Sequence, residues 1–362
     1  MICRMWKQRI FTLLKAAFLI SLLVILVRQF QTSESGSGAL EVLRERKIDW
    51  GRFVLAIVIF VAAETLTFVR WHTLLIALGI QSPLSQTLRL GFIGFLMQFF
   101  SLGTVGGDVV KAFLVVRRHF NETGAAIASI LMDRLVGFLG MLVLASVMFS
   151  FLIFSGHLPP MMHTMAVGCA IGTVIGLAVF FIAFWSGWSA VQLLGPLREV
   201  SWCRRLALRV DAILIPFRHE RRPVLLGVAY SLAAHMLQET AMFLAARSVF
   251  PQSPTLFQQW VIWPLAAAAG ALPITPAGLG TFEFAYAELY DQMQPGDVTG
   301  QGLLVAVLFR ILCIVTAAVG LVFYLSQRGE VAAAVEAARH VAEPVGSSDA
   351  QASSEQSATQ HR

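Results

Sequence analysis

Two acidic residues precede two arginines at almost the same spacing in distant parts of the chain. Asp108 precedes Arg134 by 26 residues, and Glu283 precedes Arg310 by 27 residues. Each acid follows a glycine-containing stretch, and each arginine lies in the next long apolar segment. A charge inside an apolar membrane segment costs at least about 2.5 kcal/mol on insertion scales, which makes each one a functional candidate. The pattern therefore predicts a site for an anionic group, above all a phosphate.

The glycines near these acids predict backbone turns that expose N–H groups. A helix that starts at such a turn directs its positive dipole end toward the site, where a phosphate binds favourably. Lys111 follows Asp108 by one helical turn and is a further candidate for a phosphate contact. The predicted head-group site consists of Gly106, Gly107, Asp108, Lys111, Arg134, Gly278, Gly280, Glu283 and Arg310.

Every member of this site also has a structural alternative. Asp108 and Glu283 can cap the helices that they begin, by accepting hydrogen bonds from free N–H groups. Arg134 and Arg310 can form ion pairs with these acids instead of contacting a lipid. Lys111 can extend its ammonium group toward the membrane surface. The sequence leaves these alternatives open.

His235 and Glu239 are a second candidate pair, spaced i, i+4 in an apolar segment. Two such residues fall short of a zinc site, because no third ligand is evident. The sequence allows either a polar contact between helices or a proton relay that couples transport to a pH gradient. No Walker loop or GxSxG, HExxH or DxD motif of a catalytic kind is present. We therefore expect no enzyme activity, no cofactor and no metal.

The elements that must position these residues are membrane helices. Hydrophobic residues make up 57% of the chain and charged residues only 13%, a balance atypical of soluble domains. The net charge of +6 is explained by the positive-inside rule, so we expect no nucleic-acid partner. The sequence predicts an all-α polytopic membrane protein with about six full spans, at 10–27, 52–78, 124–155, 164–185, 224–249 and 302–326.

Two further segments, 88–118 and 257–292, consist of short apolar halves separated by glycine-containing breaks. Arginines are concentrated in the loop 186–222, whereas the loop 156–163 contains no lysine or arginine. The positive-inside rule then makes both broken segments re-entrant hairpins, which enter the membrane from opposite sides. Span, hairpin and span occur twice with opposite orientation, and such an inverted repeat is typical of transporters.

The predicted organisation has three parts. Residues 1–51 form an N-terminal anchor and connecting segment, residues 52–326 form the membrane domain, and residues 327–362 form a cytosolic tail of low complexity. The expected location is the inner, cytoplasmic membrane.

Three stretches resemble a known family. They are "LGTVGGDVVKAFLVVRR", "ILMDRLVGFLGM" and "LPITPAGLGTFEFAYAEL", at residues 102–118, 130–141 and 272–289. Together they resemble the transmembrane region of lysylphosphatidylglycerol synthases and the related stand-alone, flippase-like membrane proteins. The resemblance implies a membrane domain that moves lipids between leaflets. It does not imply the synthase reaction, because only 36 residues follow the last predicted span and no transferase domain fits there.

These observations favour a translocator for a phospholipid or glycolipid with an anionic head group. Two alternatives remain open at this point: a secondary transporter of a small anion, and a subunit that presents a lipid to a separate membrane transferase. The expected partners are membrane lipids and, in the last case, a lipid-modifying enzyme. The sequence does not indicate the oligomeric state.

Overall fold

The computed structural model describes residues 48–99, 103–118, 123–193, 199–271, 280–294 and 300–326, and every regular element in them is helical. In chain order the α-helices are α1 Trp50–Ala77, α2 Leu84–Met97, α3 Gly103–Arg118, α4 Thr123–Phe154, α5 His163–Trp185, α6 Ala190–Leu193, α7 Ser201–His219, α8 Arg221–Val249, α9 Leu256–Ala271, α10 Thr281–Met293 and α11 Gln301–Ser326. A short 3-10 helix, Pro160–Met162, precedes α5.

Four helical segments in the described part of the chain are long and apolar enough to cross a membrane. They are α1, α4, α11 and the continuous segment Pro160–Trp185, and they correspond to four of the predicted spans. Helix α8, which contains the predicted span 224–249, is not among the four, although its 29 residues extend about 44 Å. The predicted span 10–27 and the predicted tail lie outside the described residues.

The predicted first turn is wrong in one respect. We expected a turn at Gly106 and Gly107, but α3 already begins at Gly103, so both glycines are helical. Asp108 therefore lies in the second turn of α3 and cannot be its N-cap. Glycine is required for a different reason, because a Cβ atom on Gly107 would lie 2.4 Å from the carbonyl oxygen of Gly94 in α2. The two helices approach through their backbones, as small residues allow in membrane proteins.

The second predicted turn leads into α10 through a glycine in the left-handed region. Gly280 has φ of +88° and is the N-cap of α10, a conformation that side chains other than glycine rarely adopt. Gly278, Pro273 and Pro276 lie outside the described residues.

The helix packing follows a regular pattern. Helices α1 and α8 pack most extensively against each other, and α2 packs on α3 as α9 packs on α10. The contact of α2 with α11 has its counterpart in that of α9 with α4, and α3 packs on α4 as α10 packs on α11. The contacts within α1–α4 therefore recur within α8–α11, and each half contacts the other through equivalent helices.

Helix ends gather at two opposite ends of the structure. At the first end, Asp49 N–H donates to Ser248 O, and the amides of Gln294 and Gln258 donate to Gln252 O and Met293 O, respectively. This end holds the start of α1, the end of α8, the start of α9 and the end of α10. A separate apolar cluster at the second end joins the end of α1, the start of α4, the end of α5, the end of α7 and the start of α8.

Large apolar side chains cover the outer surface of several helices. Helix α5 exposes Ile171, Val174, Ile175, Val179 and Phe181, and the exposed fraction of Val174 is 67%. An apolar surface of this extent is unstable in water and is matched by lipid.

Candidate functional site

A cavity of about 580 Å³ lies between the helices of both halves. Its basic lining residues are Arg70, Lys111, Arg134 and Arg310, and its titratable lining residues also include Glu64, Asp133 and His235. Much of the remaining wall is aromatic, formed by Phe60, Phe68, Trp71, Phe95, Phe99, Phe138, Trp263, Phe282 and Phe309. The cavity therefore combines several cations with an apolar wall.

Asp108 joins two cations on one side of the cavity. Arg134 donates from Nε to Asp108 Oδ2 at 2.7 Å and from Nη2 to Oδ1 at 2.9 Å. Lys111 Nζ donates to the same Oδ1 at 3.2 Å. The Arg134 side chain is 45% exposed, whereas that of Lys111 is 9% exposed. Arg134 thus lines the cavity with a side chain that is about half-exposed, while Asp108 holds its guanidinium group in place.

Lys111 is held by its aliphatic stem as well as by its charge. Its stem packs over Gly94, where a Cβ atom would lie 2.5 Å from Lys111 Cε. Its ammonium lies 5.9 Å from the ring centroid of Phe68 and 5.6 Å from that of Trp71. Cation–π contacts of this length stabilise a desolvated ammonium.

Glu283 joins α10 to α11 on the opposite side. One carboxylate oxygen accepts a hydrogen bond from Arg310 Nε, and the other accepts one from Gly280 N–H at 2.7 Å. Glu283 therefore caps α10 and orients Arg310 at the same time. The guanidinium of Arg310 also lies 5.6 Å from the ring centroid of Phe282 and 5.4 Å from that of Phe309.

A third ion pair crosses from α1 to α4. Arg70 donates from Nε to Asp133 Oδ1 at 2.7 Å and from Nη2 to Oδ2 at 3.1 Å. Its remaining nitrogen, Nη1, donates to Ser231 Oγ at 3.1 Å. A Cβ atom on Gly137 would lie only 3.0 Å from Arg70 Nη1, so glycine at this position makes room for the guanidinium. Asp133 and Arg134 are adjacent in sequence but face different partners, as helical geometry requires.

Glu64 lies in α1, where it is buried against α8. Its Oε1 accepts a hydrogen bond from Gln238 Nε2 at 2.7 Å. Within the described ranges it has no ion-pair partner, although it lines the same cavity as the cations.

His235 and Glu239 have different surroundings. His235 lines the cavity and its Nε2 lies 3.1 Å from Gly137 O in α4, which is a polar contact between helices. Glu239 is fully buried, and neither of its carboxylate oxygens has a hydrogen-bond partner in the structure that is described. The described residues contain no group of three or more potential metal ligands.

The structure brings the predicted basic residues together but places the predicted acids and glycines behind them. Lys111, Arg134 and Arg310 line the cavity, whereas Asp108 and Glu283 hold these cations from outside the lining. Gly106 and Gly107 are helical, and the N–H of Gly280 is occupied by Glu283. Gly278 lies outside the described residues. For the positions that are described, side-chain cations rather than turn amides are therefore the available anion donors.

Several residues of this site have roles that the sequence does not predict. Arg70, Asp133, Glu64 and Gln238 were recognisable only as polar residues inside apolar segments, without identified partners. The aromatic wall was not predicted, since phenylalanine and tryptophan are frequent throughout the chain. For Gly137 the sequence offers only a weak indication of a role in the site, namely its position three residues after Arg134.

Comparison with known protein families agrees with this architecture. The family model described as "Lysylphosphatidylglycerol synthase TM region" matches residues 12–320, which is most of the chain. No curated protein is similar enough to this chain to count as a match. With its apolar helices and this match, the chain belongs to the lysylphosphatidylglycerol synthase TM region family and is a multi-pass membrane protein.

Proposed function

We propose that the protein moves a phospholipid or glycolipid with an anionic head group between the two leaflets of a membrane. The observation that carries this proposal is that Arg134 of the first half and Arg310 of the second half line one cavity. Guanidinium groups bind phosphate through paired hydrogen bonds, and they do so strongly where water is excluded. The family itself points to lipid metabolism or transport.

The dimensions and lining of the cavity support a head group as the ligand. A volume of about 580 Å³ lies within the usual range for small-molecule sites, roughly 300–1,000 Å³. It is too small for two complete acyl chains, which in this proposal remain in the bilayer. The aromatic wall contacts the apolar part of the lipid next to its phosphate.

The packing supports two re-entrant hairpins in an inverted repeat. Helices α2 and α10 have 14 and 13 residues, about 20 Å each, which is shorter than the hydrocarbon core of about 30 Å. The start of α9 and the end of α10 lie at the same end of the structure, as they do in a hairpin. The recurrence of the α1–α4 contacts in α8–α11 is consistent with a repeat. Rocking one repeat against the other would then open the cavity to each leaflet in turn.

The orientation follows from the basic residues of α7. Arg204, Arg205 and Arg209 are exposed at the end of the structure where α5, α7 and α8 meet. We infer that this end faces the cytosol, together with the end of α11, and that the membrane is the inner membrane. In this proposal the protein is not an enzyme, and its substrates and partners are lipids.

The test is leaflet-to-leaflet movement of labelled lipids in proteoliposomes that contain the purified protein. The panel holds phosphatidylglycerol, a zwitterionic phospholipid and a glycolipid. Glu283→Gln and Arg310→Ala disrupt the pair on the cavity side of α11, and Glu288→Gln is the matched control because Glu288 is exposed on the same helix as Glu283. We expect lipids with an anionic head group to move between leaflets in the intact protein and in the control, and we expect this movement to be lost in Glu283→Gln and Arg310→Ala.

Movement that persists in Glu283→Gln and Arg310→Ala would show that lipids cross by disturbance of the bilayer rather than through the cavity. Absence of movement for every lipid would contradict the proposal. Uptake of a small anion by the same vesicles would then favour the transporter, and recovery of activity with a co-purified transferase would favour the lipid-presenting subunit.

A further inference from the structure

Among the residues that the structure describes, the charges around the cavity do not balance pair by pair. Arg70 pairs with Asp133, and Arg310 pairs with Glu283. Asp108, in contrast, is shared by Lys111 and Arg134, which leaves one positive charge in excess on that side. An uncompensated charge in a region of low dielectric constant is costly, so a nearby counter-charge is needed.

Glu64 is the carboxylate that can supply this counter-charge. It is 8% exposed and lines the cavity, and its described contacts include one neutral hydrogen-bond donor, the amide of Gln238. Lys111, Arg70 and Arg134 line the same cavity as Glu64, yet none of these three residues forms an ion pair with it. With Glu64 ionised, the four cations of the cavity and the four carboxylates in and around it carry no net charge.

We propose that Glu64 exchanges a proton as the head group binds, so that lipid movement is coupled to protons. This inference rests on the proposed function. A phosphodiester brings one negative charge and replaces Glu64 as the counter-charge of Lys111 and Arg134. Two anions beside each other in a buried site repel, so the carboxylate takes up one proton from the solution and becomes a neutral carboxylic acid. Release of the phosphate at the other leaflet ionises Glu64 again and frees the proton there.

The other charged groups around Glu64 are already engaged or lie elsewhere. The charged or titratable cavity residues from the neighbouring helices are Lys111 from α3, Asp133 and Arg134 from α4, His235 from α8, and Arg310 and Cys313 from α11, with Arg70 on α1 itself. The described cavity residues of α2 and α9 are uncharged. His235 contacts the carbonyl of Gly137, and Glu239 does not line the cavity. In this proposal Glu64, rather than the pair of His235 and Glu239, links the cavity to protons.

The experiment measures proton uptake directly. Short-chain phosphatidylglycerol is added to the detergent-purified protein in weakly buffered solution, over a pH series around neutrality. A pH-indicator dye reports protons, and calorimetry reports the amount of lipid bound. We expect a maximum of about one proton taken up per lipid in the intact protein, in line with linkage between binding and protonation. A zwitterionic phospholipid with the same chains, which carries no net charge, should cause no uptake.

The variants separate Glu64 from other carboxylates. Glu64→Gln should still bind phosphatidylglycerol and take up no proton, whereas Glu64→Asp should keep the uptake. Glu288→Gln and Glu239→Gln should behave like the intact protein. Uptake by Glu64→Gln equal to that of the intact protein, or loss of uptake in Glu239→Gln alone, would overturn the proposal.

The two proposals fail in different ways. Lipid movement in proteoliposomes without proton uptake on binding would contradict coupling and leave translocation standing. Proton uptake on binding without movement of any lipid would contradict translocation and leave Glu64 as a proton-exchanging group of an anion site. Absence of binding for both phosphatidylglycerol and the glycolipid would remove both proposals.

Discussion

Asp108 on α3 accepts two hydrogen bonds from Arg134 on α4, across 26 residues of sequence, and it accepts a third from Lys111. The carboxylate thus fixes two cations, of which Arg134 is half-exposed in the cavity. On the opposite side Glu283 fixes Arg310 in a similar way. Both guanidinium groups are therefore oriented by carboxylates of the protein itself, which is the arrangement that the proposed head-group site requires.

Arg134 should require the planar geometry of its guanidinium group as well as its positive charge. Arg134→Lys keeps the positive charge but cannot form the paired contact with Asp108 or with a phosphate. A lost charged hydrogen bond costs about 1.5–3 kcal/mol, so we expect lipid movement to fall about tenfold or more. The rate of movement in proteoliposomes measures this, with Arg205→Lys on the exposed face of α7 as control. Full activity of Arg134→Lys would show that charge alone suffices.

The pair of Arg70 and Asp133 should contribute to stability rather than to lipid binding. Their side chains are 8% and 12% exposed, so Asp133→Asn leaves a buried charge without its partner. We expect a loss of about 3–5 kcal/mol in the free energy of unfolding, measured by denaturant titration in detergent. The double variant Arg70→Leu, Asp133→Leu should lose less free energy of unfolding than the single variants Arg70→Leu and Asp133→Leu lose in sum. Additive losses would mean that the two residues act independently.

Gly107 should tolerate no side chain. In Gly107→Ala the new methyl group would meet the carbonyl of Gly94 at 2.4 Å, so α2 and α3 must separate. We expect destabilisation by about 1–3 kcal/mol, seen as a lower melting temperature in detergent. Gly124→Ala is the matched control, because no atom lies within 4 Å of the added Cβ and alanine favours a helix. Equal melting temperatures for the two variants would contradict the close packing.

The proposed orientation predicts which loops are reached from each side of the membrane. In a cysteine-free background, Gln81→Cys and Arg204→Cys should react with an impermeant thiol reagent only from the cytosolic side. His157→Cys, Gln252→Cys and Gln292→Cys should react only from the opposite side. Labelling of Gln252→Cys and Gln292→Cys from different sides would show that α9 and α10 cross the membrane rather than forming a hairpin.

The sequence alone determined the class of the protein and much of its helical layout. The family resemblance is confirmed, and four predicted spans are helices long and apolar enough to cross a membrane, because the length and composition of a segment are local features that neighbours do not change. The spacing of Asp108 and Arg134, and of Glu283 and Arg310, also indicated residues that meet in the structure. Local patterns suffice where an element is defined by its own residues.

Only the tertiary structure decided what the polar residues contact. The sequence predicts a turn at Gly106 and Gly107, but both lie within α3, and Gly107 packs against the backbone of Gly94 in α2. Glu64 meets Gln238 across 174 positions, and no local pattern contains that relationship. A buried charge must be compensated by groups that come from distant segments of the chain. Its partners therefore depend on which helix faces lie together, and only the assembled bundle decides this.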